Sequence, residues 1–264
     1  HHAVLEYPPV DHPHRTDRTG FTHMLANNET GEIYDILSMR RNVPNALFSC
    51  DATAAVGNIP VDFKALGVDY LAFGAHKFGG ISGIGCLIVK KDTPLISMIR
   101  GGGQEWGKRG GTESVALACA MAAALHDRMG NMLSDMKRIA RCRDLLISYL
   151  LRFVPDTYVN GPYTPGDVVL RLPGNANLSF LGVESQALVM ALSAEGVYAS
   201  SGSACTSGEA DGSYVLRAMG YTASRAASAV RFTLPYTVTE EDILGAVPLI
   251  VSAVENLRRL TPNP

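Results

Sequence analysis

Residues 68–85, VDYLAFGAHKFGGISGIG, decide how this chain is read. Val68, Tyr70, Leu71, Ala72 and Phe73 predict a short buried strand, Gly74 and Ala75 end it, and glycines follow from Gly79 to Gly85. The strand therefore delivers His76 and Lys77 at its carboxyl end. Glycine-rich turns let a backbone come close to a ligand, and a lysine so placed suits Schiff-base chemistry with a carbonyl cofactor. A surface lysine after a strand fits this segment alone equally well.

Upstream, Ala46 to Cys50 reads as a buried strand ending at Asp51, and Ile36 to Arg41 as a short helix. Asp51 either caps the next turn or faces a ligand crevice, where open α/β sheets bind small molecules. Strands separated by helical or turn segments predict an α/β fold with a mostly parallel sheet covered by helices. Phe21 to Gly31 (FTHMLANNETG) is a half-apolar strand that ends in Asn27, Asn28, Glu29 and Gly31. Amides at such a position form turns and also donate to phenolate or carboxylate.

Downstream, Gly101 to Glu113 is glycine-dense and locally basic. Thr112 is placed to cap the helix expected over Val115 to Leu125, a setting that suits phosphate; the glycines lack the spacing of a nucleotide fingerprint. A long helix over Met132 to Leu151 has Met136, Ile139, Ala140, Leu145, Leu146 and Tyr149 on an apolar face and Lys137, Arg138, Arg141 and Arg143 on a charged one. It leads into a second domain, giving a division at 1–130 and 131–264, the latter a smaller α+β domain. There, Ser200 to Gly208 (SSGSACTSG) holds Cys205 among small polar residues, the setting of an accessible nucleophile. Ala229 to Leu234 is a strand whose Arg231 needs an anion, either a substrate carboxylate or a structural acid.

The 264 residues are 47% hydrophobic and carry a net charge of -2, enough to bury a core and no basis for nucleic-acid binding. No apolar run reaches the ~20 residues of a membrane-spanning helix. The five cysteines are scattered and unpaired in motif, which predicts a reducing compartment, cytoplasmic or an organelle matrix, and no structural zinc. Cys50, Cys86, Cys119 and Cys142 are expected in the core. His12 and His14 lie in a polar loop without further ligands, so no metal site is expected.

Taken in order, HHAVLE, MLANNETG, DATAAVGNIPVDF, GVDYLAFGAHKFGG, GGGQE, RGGTES, SSGSACTS, SYVLRAMG and AVRFTL resemble the cysteine desulfurases, enzymes of the aminotransferase class V family with the type I fold of pyridoxal 5'-phosphate (PLP) enzymes. The resemblance implies PLP as cofactor, Lys77 as the Schiff-base lysine, His76 as its phosphate-side neighbour and Asp51 as partner of the pyridinium nitrogen. It places His1 on the PLP ring, Asn28 near the cofactor oxygen and the substrate carboxylate, and Arg231 on that carboxylate. Thr112 matches a residue that reaches the phosphate of a partner subunit, implying a homodimer. Cys205 matches the persulfide-forming cysteine. The implied reaction converts L-cysteine to L-alanine and leaves a persulfide on Cys205 for an acceptor protein, such as an iron-sulfur scaffold or a thiolation enzyme.

The chain departs from that family at Ala54, where a glutamine is usual, and at Gly74, where a Ser or Thr would donate to phosphate. The family's N-terminal phosphate-binding loop is absent, which is expected to reflect missing segments, and the end at Pro264 lacks the tail used to dock a scaffold. Selenocysteine lyase, to which MLANNETG and GGGQE are equally similar, and a non-catalytic relative acting as an assembly subunit are the alternatives.

Overall fold

The computed structural model describes residues 20–202 and 212–260 and divides into two compact units, one of residues 1–26 and 34–132, the other of residues 27–33 and 133–264. His1 and Cys205 lie outside the described residues, as do His12 and His14.

In the first unit, β1 (Gly20–Met24), β2 (Leu47–Asp51), β3 (Tyr70–Gly74) and β4 (Gly85–Val89) form one sheet in that order. The first three are parallel, with Met24 opposite Asp51 and Asp51 opposite Ala72; β4 runs antiparallel to β3. A parallel crossover needs a dozen or more residues, and the ten from Ala75 to Ile84 are too few, so the chain doubles back. The sheet is mostly parallel, as expected. Helix α1 (Ile36–Asn42) starts at Asp35, whose carboxylate accepts from the Ser38 N–H at 2.9 Å, and α2 (Phe63–Leu66) starts at Asp62 in the same way. Buried Asp69 accepts from the Phe48 N–H at 2.9 Å and pairs with Arg40 at 3.6 Å and Lys90 at 3.8 Å, tying β2 to both ends of the β3–β4 hairpin. Phe48, Cys50, Leu71, Ala75 and Phe78 fill the core beneath. Helix α3 (Val115–Gly130) is held near its end by buried Arg128, which donates to the Gly57 carbonyl.

The second unit carries an antiparallel sheet in the order β5 (Thr157–Val159), β6 (Asn175–Phe180), β8 (Ala229–Thr233), β7 (Ser200–Ser201). It also has α4 (Met132–Phe153), α5 (Ser185–Ala194), the short α6 (Tyr214–Ala218) and α7 (Ala223–Ala227), and α8 (Glu240–Leu260). Leu146, Ile147, Leu150, Leu178, Phe180, Leu188, Leu192, Val230, Ile250 and Val254 form its core. Arg143 does not lie on a solvated face of α4. It is fully buried, paired with Asp144 at 2.8 Å and donating to the Asp167 and Leu172 carbonyls, because the loop over residues 160–173 folds across that side of the helix. A buried guanidinium is stable only when its donors are so matched.

Candidate functional site

In the first unit the predicted residues gather at the carboxyl edge of the parallel strands. Asp51 is the last residue of β2; its carboxylate accepts from the Thr53 N–H at 2.9 Å and its carbonyl from the Leu25 N–H at 2.8 Å. Gly74 ends the neighbouring β3, and Ala75–Lys77 form one tight 3-10 turn that exposes His76 and Lys77. That turn is held from below. The Phe78 and Gly80 N–H groups both donate to the Ala75 carbonyl, and Phe78 is buried against Gly57, where a Cβ would come within 2.2 Å of the Phe78 Cβ. Gly57 also has φ +79°, which only glycine adopts without strain.

Gly74 has a specific consequence. A Cβ there would meet the His76 ring at 3.0 Å, so the imidazole occupies the space that a side chain at position 74 would take. Thr112 is exposed in the loop before α3, but the helix begins from Ser114, not Thr112, and neither side chain closes its first turn. The N–H groups of the first turn are thus not claimed by a side-chain cap.

In the second unit Arg231 lies half-buried on β8, opposite Asn177 on one side and Ser200 on the other. Its Nη1 donates to the Asn28 carbonyl at 2.8 Å, so it is tied to the backbone of the turn that carries Asn28. That turn is fixed from several directions. Asn27 Oδ1 accepts from the Glu29 and Thr30 N–H groups, while Asn175 and Asn177 donate from Nδ2 to the Glu29 carbonyl at 3.1 and 3.0 Å. Gly31 allows the approach, since a Cβ there would sit 2.7 Å from the Asn175 side chain.

Glu29, Asn160, Asn175, Asn177, Ser179 and Ser213 were missed in the sequence. The alternation in Asn175-Ala176-Asn177-Leu178-Ser179-Phe180 reads as one dry and one wet face, yet all six residues are buried. Asn160 Nδ2 bridges Asn177 Oδ1 and Ser179 Oγ at 2.8 Å each, and Arg225 donates to Asn160 Oδ1 at 2.8 Å. Three polar side chains in alternation, followed by no charge, were the available signal.

Of the four cysteines expected in the core, Cys50 and Cys142 are buried, Cys86 is half-exposed and Cys119 is exposed. Cys119 faces out because α3 buries only Met121 and Arg128, so its apolar composition does not mark a buried helix. Burial, reinforced by the Asp51 charge, pushes the Cys50 thiol up to about 12 and leaves it inert at neutral pH. Among the described residues no cluster of His, Cys, Asp or Glu could hold a metal ion, and no helix is long and apolar enough to cross a membrane.

The donor set at the edge of the first sheet suits PLP. A carboxylate at the end of one parallel strand can hold a ring nitrogen, and an amine just past the end of the next can reach a carbonyl carbon, with the backbone close by at Gly74, Gly79 and Gly80. The pattern of the family described as Aminotransferase class-V matches residues 14–244, and the chain belongs to that family. Within it the chain stands with the cysteine desulfurases. It is 36% identical to the cysteine desulfurase IscS of Dictyoglomus turgidum, over 99% of this chain and 72% of that protein. It is 39% identical to an IscS-like cysteine desulfurase of Mycobacterium tuberculosis over 89% and 60%, and 37% identical to a cysteine desulfurase of Sinorhizobium fredii over 96% and 68%. A solved NifS-like protein, 30% identical, superposes with a TM-score of 0.81 over 91% of this chain and 62% of its own. The chain therefore spans between 60% and 72% of the length of these relatives.

Proposed function

We propose that the protein carrying these residues removes sulfur from L-cysteine with PLP as cofactor, giving L-alanine and a persulfide on Cys205. The observation that carries this reading is the placement of Asp51 at the end of one parallel strand and of Lys77 just past the end of its neighbour, in a chain of this family. PLP, when bound, supplies an electron sink for bonds at the substrate Cα. Asp51 would hold the ring nitrogen protonated, and His76 would stand at the phosphate side. Lys77 is the amine that takes and returns protons at the substrate, its turn fixed by the Phe78–Gly57 contact.

Arg231, its Nη1 directed by the Asn28 carbonyl, binds the substrate carboxylate, and the Asn28 amide joins it. The Cys205 thiolate takes the sulfur; the S–C bond of the substrate breaks, and the carbon left behind gains a proton to become the alanine methyl group. His1 is assigned to the ring face and Thr112 to the phosphate of a second subunit, which makes the working form a homodimer. An acceptor protein in a reducing compartment, cytoplasmic or an organelle matrix, then collects the persulfide sulfur.

The test is the absorption spectrum of the purified holoenzyme before and after L-cysteine, with alanine and sulfide measured alongside and Lys77→Ala as control. A visible cofactor band that responds to cysteine, with alanine formed, supports the reading. Absence of any band after incubation with PLP would overturn it.

A further inference from the structure

Asn160 and Asn177 are fully buried, and their amides form a chain with a fixed direction. It starts at Arg225 on α7, whose guanidinium stacks on the Tyr221 ring at 3.9 Å and donates from Nη2 to the Val159 carbonyl at 2.7 Å. Arginine has donors only, so the atom that meets its Nε at 2.8 Å must be the acceptor end of the amide, Asn160 Oδ1. Asn160 Nδ2 is then left to face Asn177 Oδ1 and Ser179 Oγ, each at 2.8 Å. The Ser179 hydroxyl donates its hydrogen to the Arg225 carbonyl at 2.7 Å, so its oxygen accepts. Asn177, with Oδ1 taken by Asn160, is obliged to present Nδ2 to the Glu29 carbonyl at 3.0 Å.

The Glu29 carbonyl is next in the chain to the Asn28 carbonyl, which accepts from Arg231 Nη1 at 2.8 Å, and Asn177 lies opposite Arg231 in the register of β6 and β8. Asn175 donates to the Glu29 carbonyl as well, at 3.1 Å, but its Oδ1 has no partner among the described residues, so that bond alone sets the direction of its amide. The Asn177 amide, by contrast, has its direction imposed from Arg225, outside the turn it holds.

We propose that Asn160 and Asn177 are positioning residues for the substrate carboxylate, a one-way amide relay from Arg225 that holds the Asn28 turn where its carbonyl directs Arg231. The proposal rests on the reading above in taking Arg231 as the carboxylate-binding residue. Neither asparagine touches substrate. Their effect belongs to the binding of substrate, not to the chemical step.

The experiment compares Asn160→Asp, Asn177→Ala and the double variant with the parent holoenzyme. Asn160→Asp keeps the shape and gives Arg225 an ion pair, so a merely structural role predicts little change. In the relay, the new carboxylate has no donor for Asn177 Oδ1, the Asn177 amide turns round, and its oxygen faces the Glu29 carbonyl. KM for L-cysteine is expected to rise about fivefold in either single variant, the scale of one neutral hydrogen bond, with kcat changed less than about twofold. The double variant has no amide left to turn, so its KM matches that of Asn177→Ala alone. A second readout needs no turnover: the rate at which phenylglyoxal modifies Arg231 in cofactor-free protein, followed by mass spectrometry, rises about threefold in all three variants. Asn160→Asp decides through both readouts if Asn177→Ala does not fold. A parent-like value of either readout in Asn160→Asp, a loss confined to kcat, or additive effects on KM in the double variant overturns the relay. A parent protein that forms no alanine removes the desulfurase reading instead, and the phenylglyoxal rates still decide whether the relay holds Arg231.

Discussion

Arg231 Nη1 and the Asn28 carbonyl meet at 2.8 Å, across 203 positions of sequence, so the side chain assigned to the substrate carboxylate is oriented before any substrate arrives. Preorganisation of this kind lowers the cost of binding. Arg231→Ala is expected to raise KM for L-cysteine by about ten- to a hundredfold, the range for loss of a hydrogen bond to a charged group. Arg231→Lys recovers little, because a point charge cannot serve the Asn28 carbonyl and a carboxylate together with the same geometry. Steady-state kinetics on the two variants check this, and an unchanged KM in Arg231→Ala would remove the arginine from the site.

Lys77 is exposed, so Lys77→Ala should abolish both turnover and the cofactor band while shifting stability by less than about 0.5 kcal/mol. Thermal unfolding of the cofactor-free proteins, recorded beside the spectra, separates the two effects. A large loss of stability would mean that the lysine holds the turn and not the cofactor.

Gly57 bears on the same turn from the opposite side. Gly57→Ala combines a left-handed φ of +79° with a Cβ at 2.2 Å from the Phe78 Cβ, and should cost at least about 2 kcal/mol. Because Phe78 follows Lys77 directly, cofactor retention should fall with it. Denaturant midpoints and PLP content after dialysis measure the pair; loss of stability with full retention would show that the Lys77 turn is set elsewhere.

The Cys50 thiol gives a pH signature. Its folded value, about 12, is raised above the ordinary 9.0 by burial and then by Asp51, so the folded state holds the proton over a range in which the unfolded chain has released it. The contribution is complete below pH 9.0 and is lost as pH rises toward about 12. Urea midpoints of parent and Cys50→Ala should therefore converge as pH is raised through that window. A gap independent of pH would contradict the assignment.

The strand carrying Asp51 and the one leading to Lys77 were legible because each is a short apolar run closed by residues that cannot continue it. The reversal of β4 was not read, although the ten-residue connection implied it, since strand pattern alone carries no direction. Arg143 was misread for a related reason: helical periodicity places it beside exposed basic residues, and only the distant loop that supplies the Asp167 and Leu172 carbonyls buries it. The polar face of β6 was hidden likewise. Its partners come from residues 27–33 and from Asn160, which no local window brings together.

Residues 27–33 belong by contact to the second unit while β1 and α1, on either side of them, belong to the first. This interleaving has a consequence for biosynthesis. On the ribosome those seven residues emerge early, long before Asn175, Asn177 and Arg231, and the amides of β6 have no native acceptor unless the early segment is still available to them. Pairings of such sequence separation form slowly. Residues 133–260 expressed alone would bury Asn175 and Asn177 without the Glu29 carbonyl, so the second unit is not an excisable module but a late product of the whole chain.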